Sequence, residues 1–270
     1  MTPPLLDARA REAGLTIEPL DEGILGLTLN RPDKYNALSV SLMTAMEDAF
    51  ATIADDGETR VVVIGAAGEA FCAGHDLAEL RADPGEQAIR AIFDECSRMM
   101  LSIARLPQPV IARVQGTATA AGCQLVAACD LAVAADTARF AVSGVNLGLF
   151  CSTPMVALSR NLPRKQAMQL LLTGEFMDAP SARAYGLVNE LVPEAELDAA
   201  TLGLARRIAA KSPAAIAFGK RLFYRQLEAG LEAAYELASE TMVCNMLTED
   251  AQEGIDSFLA KRPLPKWKGW

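Results

Sequence analysis

The amino-acid sequence predicts an α/β fold: a spiral of repeated ββα units followed by a C-terminal helical extension. Up to residue 192, short apolar runs with strand character alternate with stretches of helical period. Two such runs precede a helix roughly three or four times, and after residue 193 only helical patterns follow. Periodicity alone also allows a doubly wound sheet. We assign residues 1–195 to the core and residues 196–270 to the helical extension.

Hydrophobic period and turn residues place the elements of the core. Residues 23–30 alternate with the period of a strand, Ser39 is a suitable N-cap for a helix, and Pro107 ends a later helix because proline lacks the backbone N–H. The predicted elements are, in order, a strand at 23–30, a turn at 31–36, a helix from Ser39 to about Ala54, a buried strand at 61–65, a helix at 86–106, a strand at 110–115, a helix of small residues to about Cys129, and strands at 131–134 and 139–142.

The extension reads as consecutive helices. The first is expected at 194–211 and the second at 212–227, where Ser212 and Pro213 form a good N-cap with proline at the first helical position. A later helical stretch ends near Lys261, before a basic tail interrupted by proline.

Composition excludes several classes of protein. The chain has 270 residues, of which 51% are apolar, and no uninterrupted apolar run is long enough for a membrane span. With 34 acidic and 25 basic residues the net charge is −9, which disfavours binding to the phosphate backbone of nucleic acid. We therefore expect a globular protein with no membrane or nucleic-acid partner.

The cysteine and histidine content excludes further kinds of site. The six cysteines are scattered without a C-x-x-C pair, which predicts reduced and mostly buried thiols. Residues 1–7 lack the basic and apolar regions of a secretory signal. Both observations lead us to expect a cytoplasmic protein. His75 is the single histidine, so no metal site or triad that needs two histidines is expected.

Two segments point to a specific site. Each follows an apolar, strand-like run and leads into a helix, an arrangement that directs unpaired backbone N–H groups at one spot, as an oxyanion requires. The segments are Phe71-Cys72-Ala73-Gly74-His75-Asp76-Leu77 and Gly116-Thr117-Ala118-Thr119-Ala120-Ala121-Gly122-Cys123-Gln124-Leu125.

Together these segments resemble the paired motifs of the crotonase (enoyl-CoA hydratase/isomerase) superfamily, hydratase-like branch. Further landmarks occur in the family's order between residues 20 and 261: Asn30-Arg31-Pro32, Asn36-Ala37-Leu38, Pro109-Val110-Ile111-Ala112, Cys129-Asp130, Gly186-Leu187-Val188 and Glu253-Gly254. The resemblance implies a crotonase-like spiral, an acyl-CoA substrate in which coenzyme A enters as part of the substrate, no permanently bound cofactor, and a homotrimer or dimer of trimers.

The resemblance also assigns residue roles. It gives the oxyanion hole to the backbone N–H groups of His75 and Ala121, between small residues that let a thioester carbonyl approach the main chain. Its coenzyme A contacts fall on Arg31, Lys34, Ala73, Gly74, Asp76, Leu77 and Lys261, with Lys220 and Arg221 as weaker candidates. For the His75 side chain, packing and a chemical role both stay open, and Asp76 is expected to be the N-cap of the next helix.

The sequence departs from the family at two positions. Where the resemblance places the two catalytic glutamates, the chain has Gln124 and Gly144. An amide cannot take a proton from water, and the loss of a positioned acid or base costs about 10²–10⁴ in rate. The residues considered as replacements are Asn146, Cys151, Ser152, Thr153, Glu79 and His75.

Three interpretations follow. The first is an acyl-CoA-processing enzyme that resembles enoyl-CoA hydratase with atypical acid and base residues. The second is a catalytically silent acyl-CoA-binding protein. A serine peptidase of related architecture is disfavoured because His75, its one available histidine, already lies in the first motif.

Overall fold

A computed structural model describes the backbone of residues 4–269 and the side chains of residues 8–269. The prediction about a secretory signal concerns residues 1–7, whose side chains lie outside the described part of the chain. The strands form two sheets. The larger has the order β1 (Leu15–Asp21), β2 (Ile24–Leu29), β3 (Val61–Ala66), β5 (Val110–Val114), β7 (Leu131–Ala135) and β10 (Glu190–Val192), and the smaller has the order β4 (Ala70–Cys72), β6 (Thr117–Thr119), β8 (Arg139–Ala141) and β9 (Met177–Asp178).

Helices connect and cover these sheets. They are α1 (Pro4–Glu12), α2 (Val40–Ala54), α3 (Leu77–Ala82), α4 (Glu86–Arg105), α5 (Ala121–Ala128), α6 (Ser152–Asn161), α7 (Arg164–Thr173), α8 (Ala179–Tyr185), α9 (Leu197–Ala209), α10 (Pro213–Gln226), α11 (Leu231–Met246) and α12 (Glu249–Leu259). Among the described residues, no helix combines the length and apolar character needed to cross a membrane.

The chain path confirms the spiral of ββα units. In each of the pairs β3 and β4, β5 and β6, and β7 and β8, the first strand joins the larger sheet and the second joins the smaller one, and helices then follow. Strands β2, β3, β5, β7 and β10 pair in parallel, as do β4, β6 and β8. The strands are therefore divided between two sheets, so the alternative of one doubly wound sheet is wrong.

Strand β3 shows how the core is arranged. All six of its residues are buried, with Val62 and Ile64 in the main core and Val61 and Val63 in a second cluster against α9. A strand covered on both faces needs a continuous apolar run rather than alternation. Because α9 covers the outer face of the larger sheet, it belongs to the packing of the core. The division of the chain at residue 195 stays a prediction.

The sequence patterns missed several elements. Strand β1 was not predicted, although it pairs antiparallel with β2 from Leu15–Leu29 onward. Its outward residues, Glu18 to Leu20, are exposed and break the apolar period. The short elements α6, α7, α8 and β10 were also missed, and the second motif contains a strand, β6, before its helix.

The extension is attached to the core by a buried ion pair. Lys220 donates from Nζ to Asp130 Oδ2 at 2.6 Å and to the carbonyl oxygens of Ile103 and Gln108, both at 2.9 Å. Tyr224 donates to the other oxygen of Asp130 at 2.8 Å. Burial lowers the pKa of Lys220, although the Asp130 carboxylate opposes that shift. Lys220 therefore holds α10 on the core, which makes it unsuitable as the coenzyme A contact considered above.

The tail is also docked. The buried Asp250 carboxylate accepts from Ser212 Oγ at 2.6 Å and from the backbone N–H groups of Lys268 at 2.8 Å and Gly269 at 3.1 Å. Trp267 donates from its indole to the carbonyl oxygen of Ala210 at 2.9 Å. All six cysteines are unpaired and five are buried, which confirms the prediction of reduced thiols.

Candidate active site

The first motif is a turn between β4 and α3. Gly74 has φ +95°, a conformation that favours glycine, and Asp76 caps α3 by accepting from the N–H of Ala78 at 3.1 Å. The N-cap expected at Asp76 is confirmed. On either side of His75, Leu38 donates to Gly74 at 2.7 Å and Asp76 donates to Leu38 at 3.0 Å. The N–H of His75 points away from this pairing and has no backbone acceptor among the described residues.

The second motif is a turn between β6 and α5. Ala120 has φ 50° and ψ −119°, which is strained for any residue with a β-carbon, and its N–H donates to Ala141 at 2.9 Å. Ala121 is the first residue of α5, and the first N–H groups of a helix have no partner inside it. The turn therefore presents the N–H of Ala121 at the helix N-terminus.

The two turns touch each other. A β-carbon on Gly74 would lie 3.1 Å from the backbone nitrogen of Ala121 and 2.8 Å from the β-carbon of Ala120. Thr119 Oγ1 donates to the carbonyl oxygen of Ala73 at 3.0 Å, which joins the turns from the other side. The fold thus brings the turn that contains His75 against the turn that contains Ala121, as a shared site for an oxygen with negative charge would require.

Asn36 supports the first turn, a role that the sequence patterns did not predict. The residue is fully buried and left-handed, with φ 54°. Its Oδ1 accepts from the N–H of Arg31 at 2.8 Å, and its Nδ2 donates to the carbonyl oxygens of Ala67 and Ala70, both at 2.8 Å. Asparagine tolerates this backbone conformation, so an asparagine in the turn that follows Pro32 was the available signal.

Arg31 completes the same support. Its guanidinium donates to the carbonyl oxygen of Ala37 at 2.6 Å and pairs with Asp76 at 3.1 Å. Both side chains are largely buried. These contacts brace the start of α3. Lys34 and Lys261, the other basic residues expected to contact coenzyme A, are exposed.

Gln124 lies one helical turn after Ala121 and is buried. Its Oε1 is enclosed, and among the described residues its side-chain amide makes no hydrogen bond. Unlike a glutamate, this side chain carries no charge and cannot accept a proton at neutral pH.

Gly144 lies in a 3-10 turn, Ser143–Leu147, and is closely packed. A β-carbon there would lie 2.8 Å from Cys151 Sγ and 2.8 Å from the carbonyl oxygen of Leu149. Burial raises the pKa of the Cys151 thiol, which the N–H of Gly144 partly offsets by donating to the sulfur. A side chain at residue 144 therefore has no room in this backbone arrangement.

The side chain of His75 packs edge-on against Phe93, with ring centroids 5.3 Å apart. Burial lowers the pKa of the imidazole to about 4, so the ring is neutral at physiological pH. Its Nε2 is enclosed and has no partner among the described residues. The contact with Phe93 favours the packing interpretation of this side chain.

Three of the other proposed replacements, Glu79, Asn146 and Ser152, make hydrogen bonds to other parts of the chain. Glu79 accepts from the N–H of Val40 at 2.8 Å, at the start of α2. Asn146 donates to the carbonyl oxygen of Gly174 at 3.5 Å, and Ser152 donates to that of Phe150 at 3.3 Å.

A cavity of about 260 Å³ lies elsewhere, between the loops that precede β3 and β5 and the start of α10. Its lining includes Arg60, Gln108, Lys211 and Pro213 but no residue of either motif. The candidate site is therefore defined by the two turns and not by this cavity.

The fold defines a ββα-spiral protein in which the turns of the two motifs touch. The chain belongs to the enoyl-CoA hydratase/isomerase family, whose model matches residues 20–269. This confirms the resemblance found in the sequence.

Named relatives agree with the family. The chain is 47% identical over 253 residues to the mitochondrial enoyl-CoA hydratase domain-containing protein 3 of Xenopus laevis, covering 94% of this chain and 86% of the relative. It is 47% identical over 246 residues to the human protein of that name, covering 91% and 81%. A crystal structure named as enoyl-CoA hydratase from Mycobacterium smegmatis superposes with a TM-score of 0.92 at 54% identity, covering 94% of this chain and 98% of that one.

The two vertebrate relatives correct one expectation. Both are named mitochondrial, so the cytoplasmic location expected from the sequence is wrong. Reduced thiols and the lack of a secretory signal do not distinguish the cytoplasm from an organelle, because organelle transit peptides have a different, amphipathic and Arg-rich pattern.

Proposed function

We propose that this protein processes acyl-CoA thioesters, with the thioester carbonyl oxygen bound by the backbone N–H groups of His75 and Ala121. The close approach of Gly74 to the nitrogen of Ala121 supports this proposal, because Gly74 directly precedes His75 and the two turns therefore meet. Negative charge develops on the carbonyl oxygen when a nucleophile adds at Cβ or a proton leaves Cα. Each N–H donor of this kind contributes about 2.7–4 kcal/mol to transition-state stabilisation.

The proposed site lacks the two carboxylates that would act as acid and base. In the proposed active site, Gln124 and Gly144 stand where relatives of the family use glutamates. The neutral His75 ring is a weak base, with a pKa of about 4. Hydration of a 2-enoyl-CoA, which needs both an acid and a base, is therefore expected to be slow, by about 10²–10⁴ for each missing group.

Coenzyme A is proposed to lie along the first turn. Ala73 and Leu77 are exposed on either side of the turn, and Lys34 supplies a nearby cation. Arg31 and Asp76 contribute by holding the turn in place. Lys261, exposed just after α12, is proposed to reach the coenzyme A phosphates, across a subunit boundary in an oligomer.

A homotrimer or dimer of trimers is proposed for the assembly. Helix α11 has no buried residue, and apolar side chains on the extension are left uncovered in one chain. Leu231, Tyr235 and Phe258, for example, are 77%, 69% and 78% exposed. Apolar patches of this kind mark protein–protein contacts. A monomeric mass by light scattering at micromolar protein would contradict this proposal.

A catalytically silent acyl-CoA-binding protein is the second candidate function. The packing of Cys151 against Gly144 favours it, because the space for a side chain at residue 144 is filled. Both candidates use the same N–H groups and differ only in whether the bound thioester reacts.

Turnover of a panel of saturated and unsaturated acyl-CoAs, followed by mass spectrometry, tests the proposal. We expect binding of acyl-CoAs, and hydration of crotonyl-CoA far slower than in a relative with two glutamates. A water adduct, shifted double bond or free acid would identify the reaction. Binding without any product supports the silent protein, turnover of crotonyl-CoA at ordinary hydratase rates contradicts the reduced active site, and no acyl-CoA binding at all refutes both candidates.

The Gly74→Ala variant tests the N–H groups directly. Its β-carbon would press on Ala120 and on the nitrogen of Ala121, so acyl-CoA affinity should fall. Gly203→Ala is the matched control, since nothing lies within 4 Å of a β-carbon at that position.

A further inference from the structure

The amide of Gln124 differs from the other buried glutamine amides of the described chain. Gln108 and Gln115 each have one unpartnered Oε1, but their Nε2 atoms donate to two and three backbone carbonyls, respectively. Those two amides are anchored by the protein. Gln124 is 4% exposed, its enclosed Oε1 has no partner, and among the described residues its Nε2 donates to no acceptor, so the donor end of this amide is available to a ligand. A buried polar group without a partner costs about 1–3 kcal/mol, so an amide in this state is suited to a ligand.

Helix geometry directs this amide toward the candidate site. Gln124 follows Ala121 by three residues, which is a rise of about 4.5 Å on the same face of α5. Side chains on a helix lean toward its N-terminus and cover the preceding turn. The amide of Gln124 therefore leans over the turn that presents the N–H of Ala121.

The exchange of a carboxylate for an amide changes which ligand oxygen can be bound. An ionised glutamate only accepts hydrogen bonds, whereas a glutamine amide also has two N–H donors. A carbonyl oxygen is itself only an acceptor, so a carboxylate repels it and an amide binds it. With the thioester oxygen on the N–H groups of His75 and Ala121, we place the substituent on Cβ against Gln124, because it is two carbons along the acyl chain from the thioester carbonyl and Gln124 is one helical turn from Ala121.

We propose that Gln124 makes this a site for acyl thioesters that carry a carbonyl oxygen on Cβ, the 3-oxoacyl thioesters. The inference rests on the proposed function, since it takes the thioester to be bound by His75 and Ala121. The Gln124 amide donates to the 3-oxo oxygen while the two backbone N–H groups hold the thioester oxygen.

This ligand class also suits a site without carboxylates. The Cα proton of a 3-oxoacyl thioester lies between two carbonyls and is more acidic than that of a saturated thioester. When it leaves to a solvent base, the electron pair spreads over both oxygens, each of which then has an N–H donor. No strong base from Gly144 or Gln124 is needed for that step.

Binding measurements on the wild-type chain test the proposal. Acetoacetyl-CoA and butyryl-CoA differ at Cβ by the oxo group alone, and their dissociation constants are compared by titration calorimetry. We expect acetoacetyl-CoA to bind about tenfold more tightly, the effect of one net hydrogen bond. The ultraviolet absorbance of its enolate should rise on binding. Equal affinities would overturn the proposal and indicate that the amide holds only water.

Two substitutions at residue 124 separate the amide from other causes. In Gln124→Met the preference for acetoacetyl-CoA over butyryl-CoA, measured within the same variant, should be abolished, and in Gln124→Glu it should be reversed. The control Gln169→Met changes an exposed glutamine and should keep the wild-type preference. A preference retained in Gln124→Met would refute the assignment, as would a wild-type preference for 3-hydroxybutyryl-CoA over acetoacetyl-CoA.

The comparison of acetoacetyl-CoA with butyryl-CoA on the wild-type chain tests the role of Gln124 even if a variant does not fold. If butyryl-CoA binds but acetoacetyl-CoA has no advantage, the inference about Gln124 fails and the proposed function stands. If no acyl-CoA binds, the proposed function itself fails.

Discussion

Cys151 Sγ lies 2.8 Å from the point where a β-carbon on Gly144 would stand. Cys151 is 8% exposed and occupies the N-cap position of α6, so the sulfur is held between that helix and the 3-10 turn of Gly144. The carbonyl oxygen of Leu149 closes the same space from the backbone side, also at 2.8 Å. The lack of a carboxylate at residue 144 is therefore built into the packing, and one substitution is not expected to restore it.

The packing at residue 144 can be tested by adding a single methyl group. Gly144→Ala is expected to lower the free energy of unfolding by about 1–3 kcal/mol, because the new β-carbon overpacks a filled space. Gly203→Ala, with open space around it in α9, should instead stabilise by about 0.5–1 kcal/mol through helix propensity. Urea unfolding of both variants measures the difference, and equal stability of the two would contradict the filled space.

The neutral state of the His75 ring makes the stability of the folded protein depend on pH. Because burial lowers the pKa of the folded ring from its ordinary value of about 6.5 to about 4, the unfolded chain binds a proton at higher pH than the native one. This contribution to stability is complete above about pH 6.5 and is lost as the pH falls toward 4.

Since His75 is the single histidine, its ring proton gives one resolvable titration by NMR. We expect a midpoint near pH 4, and a flatter stability profile between pH 4 and 6.5 for His75→Phe than for the wild type. A midpoint at 6.5 or above would show that the ring is solvated in the native protein.

The buried pair of Lys220 and Asp130 is expected to stabilise the attachment of α10. Lys220→Met leaves the Asp130 carboxylate buried without its cation, at a cost of about 3 kcal/mol. Lys211→Met, at an exposed position near the start of α10, should change the unfolding free energy by less than about 0.5 kcal/mol. A similar loss in both variants would place the effect outside the ion pair.

Because the backbone at Ala120 is strained, we expect glycine to stabilise the protein there, whereas glycine in a helix destabilises it. Ala120→Gly is expected to raise the unfolding free energy by about 1 kcal/mol, since glycine adopts φ 50° and ψ −119° without strain. Ala51→Gly, on the exposed side of α2, should lower it by a similar amount. Thermal unfolding of the two variants tests the strain. If the turn at Ala120 is unstrained, both substitutions lower the unfolding free energy.

Local patterns predicted what depends on a few neighbouring residues. The alternation at 24–29, the continuous apolar run at 61–66, the cap at Asp76 and the Ser212-Pro213 start of α10 all agree with the structure. The short elements between residues 143 and 192 were missed because each spans too few residues to show a hydrophobic period, although the cap Asp178 and the left-handed Gly186 on either side of α8 were usable signals. Strand β1 was missed because pairing with β2, rather than its own pattern, sets its conformation.

The sequence by itself determined the family and the two motif turns, since these depend on turn chemistry and hydrophobic period over short stretches, whereas the division of the strands between two sheets was decided by the tertiary structure. The tertiary structure alone decided which distant residues meet. The contact of Gly74 with Ala121, the filling of the space at Gly144 by Cys151, and the burial of Lys220 against Asp130 join segments far apart in the chain. Such contacts follow from sheet pairing and close packing, which no local pattern encodes.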